Sequence, residues 1–179
     1  MIDPEKLTDM VAERVSDWYY ENQNTYPKNI LYYRDGVSDS QFKTVKDEEV
    51  PCIVEGFNAF VKQSKDQGKG KGKAVDPPEP KITALVVTKR HHTRFYPQKV
   101  QDRQDDNHNC KPGTLVERGV TSPYFADFYL QSHNGIKGTA KPAHYWLLQN
   151  DMGMNSMNLQ YLVRESDPFD YTPSEQKQR

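Results

Sequence analysis

The chain has 179 residues, of which 35% are hydrophobic, a formal net charge of -1 and a mean hydropathy of -0.95. This length allows one domain with a hydrophobic core and several polar excursions. The near-neutral charge excludes a molecule that binds nucleic acid over its whole surface, and two cysteines are too few for a disulfide framework. Because no apolar stretch approaches a membrane span or a signal peptide, we expect a protein of the cytoplasm, or also of the nucleus, without a membrane partner.

The first predicted element is a helix over residues 3–21. Asp3 can cap it and Pro4 suits its first turn. Apolar residues recur at helical spacing, which predicts one face that packs on a partner; they are Leu7, Met10, Val11, Val15 and Trp18.

A short strand over residues 29–35 follows, and its apolar run predicts burial on both faces. Gly36 permits a turn after the strand. Ser38 and Gln41 have the spacing of a capping box, which predicts a second helix that Pro51 should kink or split.

The rest of the chain alternates polar segments with predicted strands. Lysine, glycine and proline dominate residues 64–80, which predicts a flexible exposed loop. The segment 81–89 is rich in β-branched residues and gives the strongest strand signal. After a polar insertion at 97–113, further strands are predicted at 114–121, 125–132 and 144–149. The order of elements is typical of an α/β fold.

Asp35 is the first candidate for chemistry. A carboxylate that follows a buried strand and precedes a glycine turn stands where open α/β sheets place ligand-binding groups. The local sequence alone favours the simpler alternative, a turn aspartate or helix cap. One acid cannot hold a pair of metal ions, because two-metal hydrolysis needs several converging oxygen ligands.

Two basic segments are the second candidate. The first, "TKRHHTRFYP" at 88–97, combines cationic and aromatic side chains, as phosphate-backbone binders do. Adjacent histidines on an extended strand point to opposite sides, which argues against one zinc ion held by His91 and His92. The second, "SHNGIKGTAKPAHY" at 132–145, adds further histidines and lysines among glycines. A solvated strand end and hydrogen-bonded loop histidines remain the alternatives.

The order of these motifs closely resembles the carboxyl-terminal half of the Argonaute PIWI domain. The resemblance rests on "ILYYRDGVSDSQF", "KRHHTRFYP" and "NCKPGTLVERGVTSPYFADFYLQSHNGIKGTAKPAHYWLLQND" and covers about residues 3–160. The loop at 64–80 and the segment 99–108 are additions, of a kind expected in fungal members. The resemblance implies a partial RNase H-like (PIWI) fold, with a mixed sheet flanked by helices, that binds a guide RNA and its target RNA.

The resemblance also implies roles for single residues. Asp35 corresponds to the second aspartate of the family's catalytic set, a ligand of the Mg²⁺ (or Mn²⁺) ions. Contacts to the RNA backbone are implied for Lys89, Arg90, His92, Arg94, His133 and Lys141. At Lys141 relatives often have arginine, so the charge is kept and the bidentate fork is lost. His144 is not assigned to catalysis, because the family's catalytic histidine lies in a later segment.

Only one of the family's four catalytic positions is identified in this sequence. We therefore expect a partial PIWI domain over residues 1–160, followed by a divergent, disordered tail at 161–179, that binds RNA in silencing and does not stably hold the metal ions. A complete metal-dependent endoribonuclease of RNase H type is one alternative. A protein-interaction module that binds tryptophan residues of silencing-complex proteins is the other.

Overall fold

A computed structural model describes residues 2–67, 76–135, 138–159 and 161. The long helices are α1 (Pro4–Glu21) and α3 (Val50–Gln67), with a short α2 (Phe42–Thr44) between them. The strands are β1 (Asn29–Asp35), β2 (Lys81–Thr88), β3 (Thr114–Val116), β4 (Asp127–Gln131) and β5 (Ala143–Asn150). They form a five-stranded mixed sheet in the order β1-β2-β5-β4-β3, with β4 antiparallel to both β3 and β5. The predicted α/β class is confirmed.

Helix α1 begins as the sequence predicts. The Asp3 carboxylate accepts hydrogen bonds from the backbone N–H groups of Glu5 (3.0 Å) and Lys6 (3.3 Å). The predicted apolar face is only partly right, because Met10 and Trp18 are 57% and 48% exposed. Val15 is buried in a cluster with Phe57 and Phe60 of α3, and Val11 packs against this cluster.

The predicted interruption at Pro51 is confirmed. A 3-10 turn (Asp39–Gln41) leads through α2 into a π-helical segment (Val45–Glu49), and α3 begins only at Val50. Proline has no N–H to donate to the preceding turn, so a regular α-helix cannot run through this position. The predicted capping box of Ser38 and Gln41 is present, and the Gln41 carboxamide oxygen accepts from the Ser38 N–H at 3.0 Å.

The chain divides into two compact units, Met1–Val86 with Leu147–Met152 and Val87–Trp146 with Gly153–Arg179. In the first unit α1 packs against α3 around Val15, Phe57 and Phe60. Gly56 lies at this contact, since a Cβ there would be 2.6 Å from the Thr8 carbonyl oxygen. The predicted full burial of β1 on both faces is wrong, because residues 30–34 are all only half-buried. Strand β1 is an edge strand of the sheet in the described residues.

In the second unit, β3 ends at Val116 and β4 begins at Asp127, so the predictions at 114–121 and 125–132 were too long. Gly119 has a positive φ of +85°, which bends the chain away from the ladder. The Ser122 N–H donates to the Asp127 carboxylate at 2.8 Å and not to a neighbouring strand. Residues 117–126 therefore form a loop.

The predicted flexible loop at 64–80 begins too early, because α3 continues to Gln67. Residues 68–75 lie outside the described residues, and 76–80 have no regular secondary structure. Most of the predicted tail, 162–179, also lies outside the described residues, so the boundary near 160 stays a prediction.

Candidate nucleic-acid interface

Asp35 lies exposed at the carboxyl end of β1, and Gly36 turns the chain after it with a φ of +78°. The turn is as predicted. A neighbouring side chain fixes this strand end, because the Arg34 Nη1 donates to the Asp35 carbonyl oxygen at 2.6 Å. The Arg34 Nε in turn donates to a carboxylate oxygen of Glu49 at 2.9 Å. Asp35 is thus held through its backbone, and its side chain faces solvent.

Glu49, on the π-helical segment, is a buried carboxylate that was not predicted from the sequence. Its side chain is only 3% exposed and also accepts hydrogen bonds from the Tyr32 hydroxyl (2.8 Å) and the Ile2 N–H (3.2 Å). Burial alone raises the pKa of Glu49, but the hydrogen bonds from Arg34, Tyr32 and Ile2 outweigh burial and hold that pKa below its ordinary value. Glu49 is therefore an ionised anchor for Arg34.

The described residues do not fit a two-metal centre at Asp35. Among residues 2–67, 76–135, 138–159 and 161, no three His, Cys, Asp or Glu side chains are grouped so that they could hold a metal ion. Mg²⁺ requires a near-octahedral shell of oxygen ligands, and one carboxylate supplies only a small part of it. No catalytic step through Mg²⁺ or Mn²⁺ follows from this arrangement.

The basic segment after β2 turns one histidine inward and the next outward, as predicted for adjacent residues of an extended chain. The half-buried His91 donates from Nε2 to the Pro142 carbonyl oxygen at 2.8 Å, and its ring meets the edge of Tyr129 at 5.3 Å. Phe95 contacts Tyr129 in the same manner at 5.4 Å. His92 is exposed. His91 and Phe95 therefore anchor the segment to β4.

The contact between His91 and Pro142 brings the two basic segments together, because Lys141 precedes Pro142 in the chain. Burial lowers the pKa of His91 below its ordinary value; the hydrogen bond to Pro142 acts in the opposite direction, and the charges of Lys141, His144 and Arg94 lower it further. The hydrogen bond to Pro142 therefore places the His91 ring beside the residue that follows Lys141.

Beneath these segments a face of β4 and β5 carries a buried hydrogen bond between a histidine and a carboxylate. The His144 Nε2 donates to the Asp127 carboxylate at 2.5 Å, and the His144 ring stacks on Tyr129 at 3.9 Å and lies 4.4 Å from that of Trp146. His144 is thus packed between aromatic rings and hydrogen-bonded to Asp127. Asp127 was not predicted from the sequence. Its local sequence shows only that an acidic residue stands at the start of an apolar strand.

The remaining predicted contacts also lie in the second unit. Lys89, Arg90, His133 and Lys141 are exposed, and Arg94 is half-buried with Nη1 donating to the Thr93 carbonyl oxygen at 2.8 Å. The structure connects the segments of Arg94 and Lys141 through His91. No direct contact joins His133 to the other predicted residues in the described hydrogen bonds, and Lys137 lies outside the described residues.

The comparisons with known proteins show the family. The profile of the Piwi domain family matches residues 2–165. The chain is 40% identical over 158 residues to protein argonaute 2 of Oryza sativa subsp. japonica, a match that covers 88% of this chain and 14% of that protein. It is 40% identical over 145 residues to protein argonaute-2 of Drosophila melanogaster, covering 81% of this chain and 11% of that protein. The chain belongs to the Piwi domain family.

Solved structures agree with this assignment. The C-terminal lobe of a budding yeast Argonaute is similar with a TM-score of 0.73 at 32% identity, covering 86% of this chain and 30% of that one. Kluyveromyces polysporus Argonaute, whose crystal structure contains a guide RNA, is similar with a TM-score of 0.72 at 32% identity, covering 87% of this chain and 18% of that one. The predicted RNase H-like PIWI fold is confirmed. The chain spans only 14% and 11% of the lengths of these two argonaute proteins.

Proposed function

We propose that this chain binds single-stranded RNA, as a guide or target strand in RNA silencing, through the phosphate backbone. The observation that carries the proposal is the His91 to Pro142 hydrogen bond, which joins the two basic segments in one unit. Kluyveromyces polysporus Argonaute, similar over 87% of this chain, has been solved with a guide RNA, which supports the same class of ligand here. We place this function in the cytoplasm or the nucleus.

The proposed contacts are cationic or polar side chains near the ends of strands: Lys89, Arg90, His92 and Arg94 after β2, His133 after β4, and Lys141 before β5. Phosphate oxygens carry charge in every sequence, so contacts of this kind give affinity with little sequence preference. Anchoring by buried aromatic neighbours fixes where the charges lie before the RNA arrives, which reduces the entropy lost on binding.

Salt dependence tests the proposal. If Lys89, Arg90, Arg94 and Lys141 neutralise about four phosphates, the logarithm of affinity should fall with the logarithm of salt concentration at a slope near -3, from about -0.7 per phosphate. Arg94→Ala should flatten this slope by about 0.7 and weaken all RNA sequences alike.

The matched control is Arg14→Ala, which removes the same charge from an exposed position on α1 that is paired with Glu13 and Asp17. It should leave the slope unchanged. Salt-independent binding, or equal slopes for wild type and Arg94→Ala, would remove this segment from the interface.

Asp35 belongs to no group of three potential metal ligands among the described residues, which supports RNA binding without cleavage by this chain. The alternative, a complete metal-dependent endoribonuclease, would require further acidic residues close to Asp35. We propose that Asp35 is inactive here as a single-residue metal site. Whether the full-length relatives' activity extends to this chain is decided by the cleavage assay given in the Discussion.

One observation favours a second candidate function, binding of protein partners. A cavity of about 530 Å³ lies at the end of α1 and is lined by Trp18, Tyr26, Pro27 and neighbouring residues up to Asn29. Trp18 is 48% exposed, which leaves an aromatic surface for a partner's side chain. Chemical-shift changes at these residues on addition of N-acetyl-tryptophanamide would support this function, and their absence at millimolar ligand would refute it.

A further inference from the structure

The segment 99–108, which was predicted to be an addition relative to the family, is a hydrogen-bonded structure and not a loose excursion. It contains a 3-10 turn (Val100–Asp102) and a β-bridge between Arg103 and Cys110. The Gln104 N–H donates to the Asn109 carbonyl oxygen at 2.8 Å, and the Lys111 Nζ donates to the Gln101 carbonyl oxygen at 2.9 Å. Asn109, at its end, is only 1% exposed.

The buried Asn109 carboxamide joins this segment to the second basic segment. Its Nδ2 donates to the Asp105 carboxylate (2.7 Å) and to the Gly138 carbonyl oxygen (2.9 Å), and its Oδ1 accepts from the Ala140 N–H (2.7 Å). Gly135 leaves room for this side chain, since a Cβ there would be only 3.0 Å from Nδ2. Each of these three hydrogen bonds of the Asn109 side chain goes to a backbone group or to Asp105.

We infer that Asn109 is a positioning residue for RNA binding, whose carboxamide fixes the backbone of residues 138 and 140 and thereby the place of Lys141. This inference rests on the proposed function, in which Lys141 contacts phosphate. Asn109 itself contacts no RNA. Its role requires a side chain with two N–H donors and one acceptor on a short stem, which asparagine has and aspartate lacks.

Asp105 completes the arrangement from the insertion side. The hydrogen bond from the Asn109 side chain is the largest influence on this carboxylate and lowers the pKa of Asp105 below its ordinary value, with the backbone N–H groups of Asn109 and Asn107 acting in the same direction. The Asp105 carboxylate is thus ionised at neutral pH, and a hydrogen bond from Asn109 to an ionised acceptor is stronger than one to a neutral acceptor.

A double-mutant cycle tests the inference, with a fluorescently labelled single-stranded RNA as the probe. Asn109→Asp keeps the size and the acceptor but removes the donors to Gly138 and Asp105. It should flatten the salt slope by about 0.7, and Lys141→Ala should do the same. Between about 50 and 200 mM salt, the affinity of either variant should then fall by a factor that is about 2.6 times smaller than for wild type. Combined with Lys141→Ala, it should cause no further change in slope.

Asp105→Asn is the control for a general loss of structure. It disturbs the insertion but leaves the hydrogen bonds of Asn109 to Gly138 and Ala140 in place, so the melting temperature should fall while the salt slope stays that of wild type. An equal flattening of the slope in Asp105→Asn, or additive effects of Asn109→Asp and Lys141→Ala, would overturn the positioning role.

The failure of the inference can be told from the failure of the proposed function. If Lys141→Ala leaves the slope unchanged, Lys141 is not at the interface. If Lys141→Ala flattens the slope and Asn109→Asp does not, only the role of Asn109 is wrong. If Asn109→Asp does not fold, the amide exchange of Ala140 is measured instead in wild type and in Asp105→Asn. Slow exchange in both proteins supports the hydrogen bond from the Ala140 N–H to Asn109, and rapid exchange overturns the positioning role.

Discussion

Replacement of Arg34 by methionine should destabilise the protein by about 3 kcal/mol at pH 7, because it leaves a buried carboxylate without its charge partner. The Arg34 side chain is 15% exposed and that of Glu49 only 3%, with 2.9 Å between Nε and the carboxylate. Breaking a buried ion pair costs about 3–5 kcal/mol. We expect the lower end, because the hydrogen bonds from Tyr32 and Ile2 to Glu49 remain.

The pH dependence identifies Glu49 as the cause. In wild type the pKa of Glu49 is held below its unfolded value of about 4.3, so its contribution is present above that pH and is lost as the pH falls through the folded-state pKa. In Arg34→Met, burial without the guanidinium should raise this pKa above the unfolded value, so the variant's penalty is greatest at neutral pH. The difference between the two proteins should therefore shrink as the pH falls from about 7 towards about 4.

Urea unfolding, followed by tryptophan emission and circular dichroism at several pH values, measures this difference. Lys43→Met is the control, since it breaks an exposed ion pair with Asp47 nearby in sequence, where Lys43 is 88% exposed. Its unfolding curve should match that of wild type at every pH. A pH-independent loss of stability in Arg34→Met, or no loss at pH 7, would refute the buried-anchor account.

Three further predictions concern packing, catalysis and dynamics. Gly56→Ala should lower the free energy of unfolding by about 1–3 kcal/mol in urea titrations, despite the better helix propensity of alanine, because its Cβ would meet the Thr8 carbonyl oxygen at 2.6 Å; a stabilised variant would contradict the close approach of α1 and α3. The purified chain, loaded with a guide and a complementary target in Mg²⁺ or Mn²⁺, should not cut the target, and a single cut that disappears in Asp35→Ala would show that a complete site exists. In amide-exchange experiments residues 82–86 of the buried β2 should be among the slowest to exchange, and rapid exchange there would place β2 outside the stable core.

The sequence predicted those features that depend on neighbours within a few residues. The Asp3 cap, the turn at Gly36 and the interruption at Pro51 follow from the chemistry of one side chain or one missing N–H group. The bounds of β1 and β2 were also close, because β-branched and aromatic runs between turn residues define them. The family resemblance rests on three quoted sequence segments and is confirmed by the match to the Piwi domain family.

The ends of strands and the burial of side chains were predicted less well from the sequence. The strand predicted at 114–121 ends at Val116, and the chain turns within the predicted range at Gly119, which has a positive φ. Trp18 was predicted on the packed face of α1, yet about half of it is exposed, because the sequence period gives the direction of a face and not the width of the surface that covers it.

Only the tertiary structure decided which polar groups meet. Arg34 and Glu49 are 15 residues apart, Asn109 and Gly138 are 29 apart, and His91 and the Pro142 carbonyl are 51 apart. No local pattern specifies such pairs, because each depends on how distant segments pack and on which buried donor must find an acceptor once water is excluded. The sequence by itself thus determined the family, the local elements and the basic segments, whereas packing determined that Arg34 anchors the strand end at Asp35 and that His91 and Asn109 fix the backbone on both sides of Lys141.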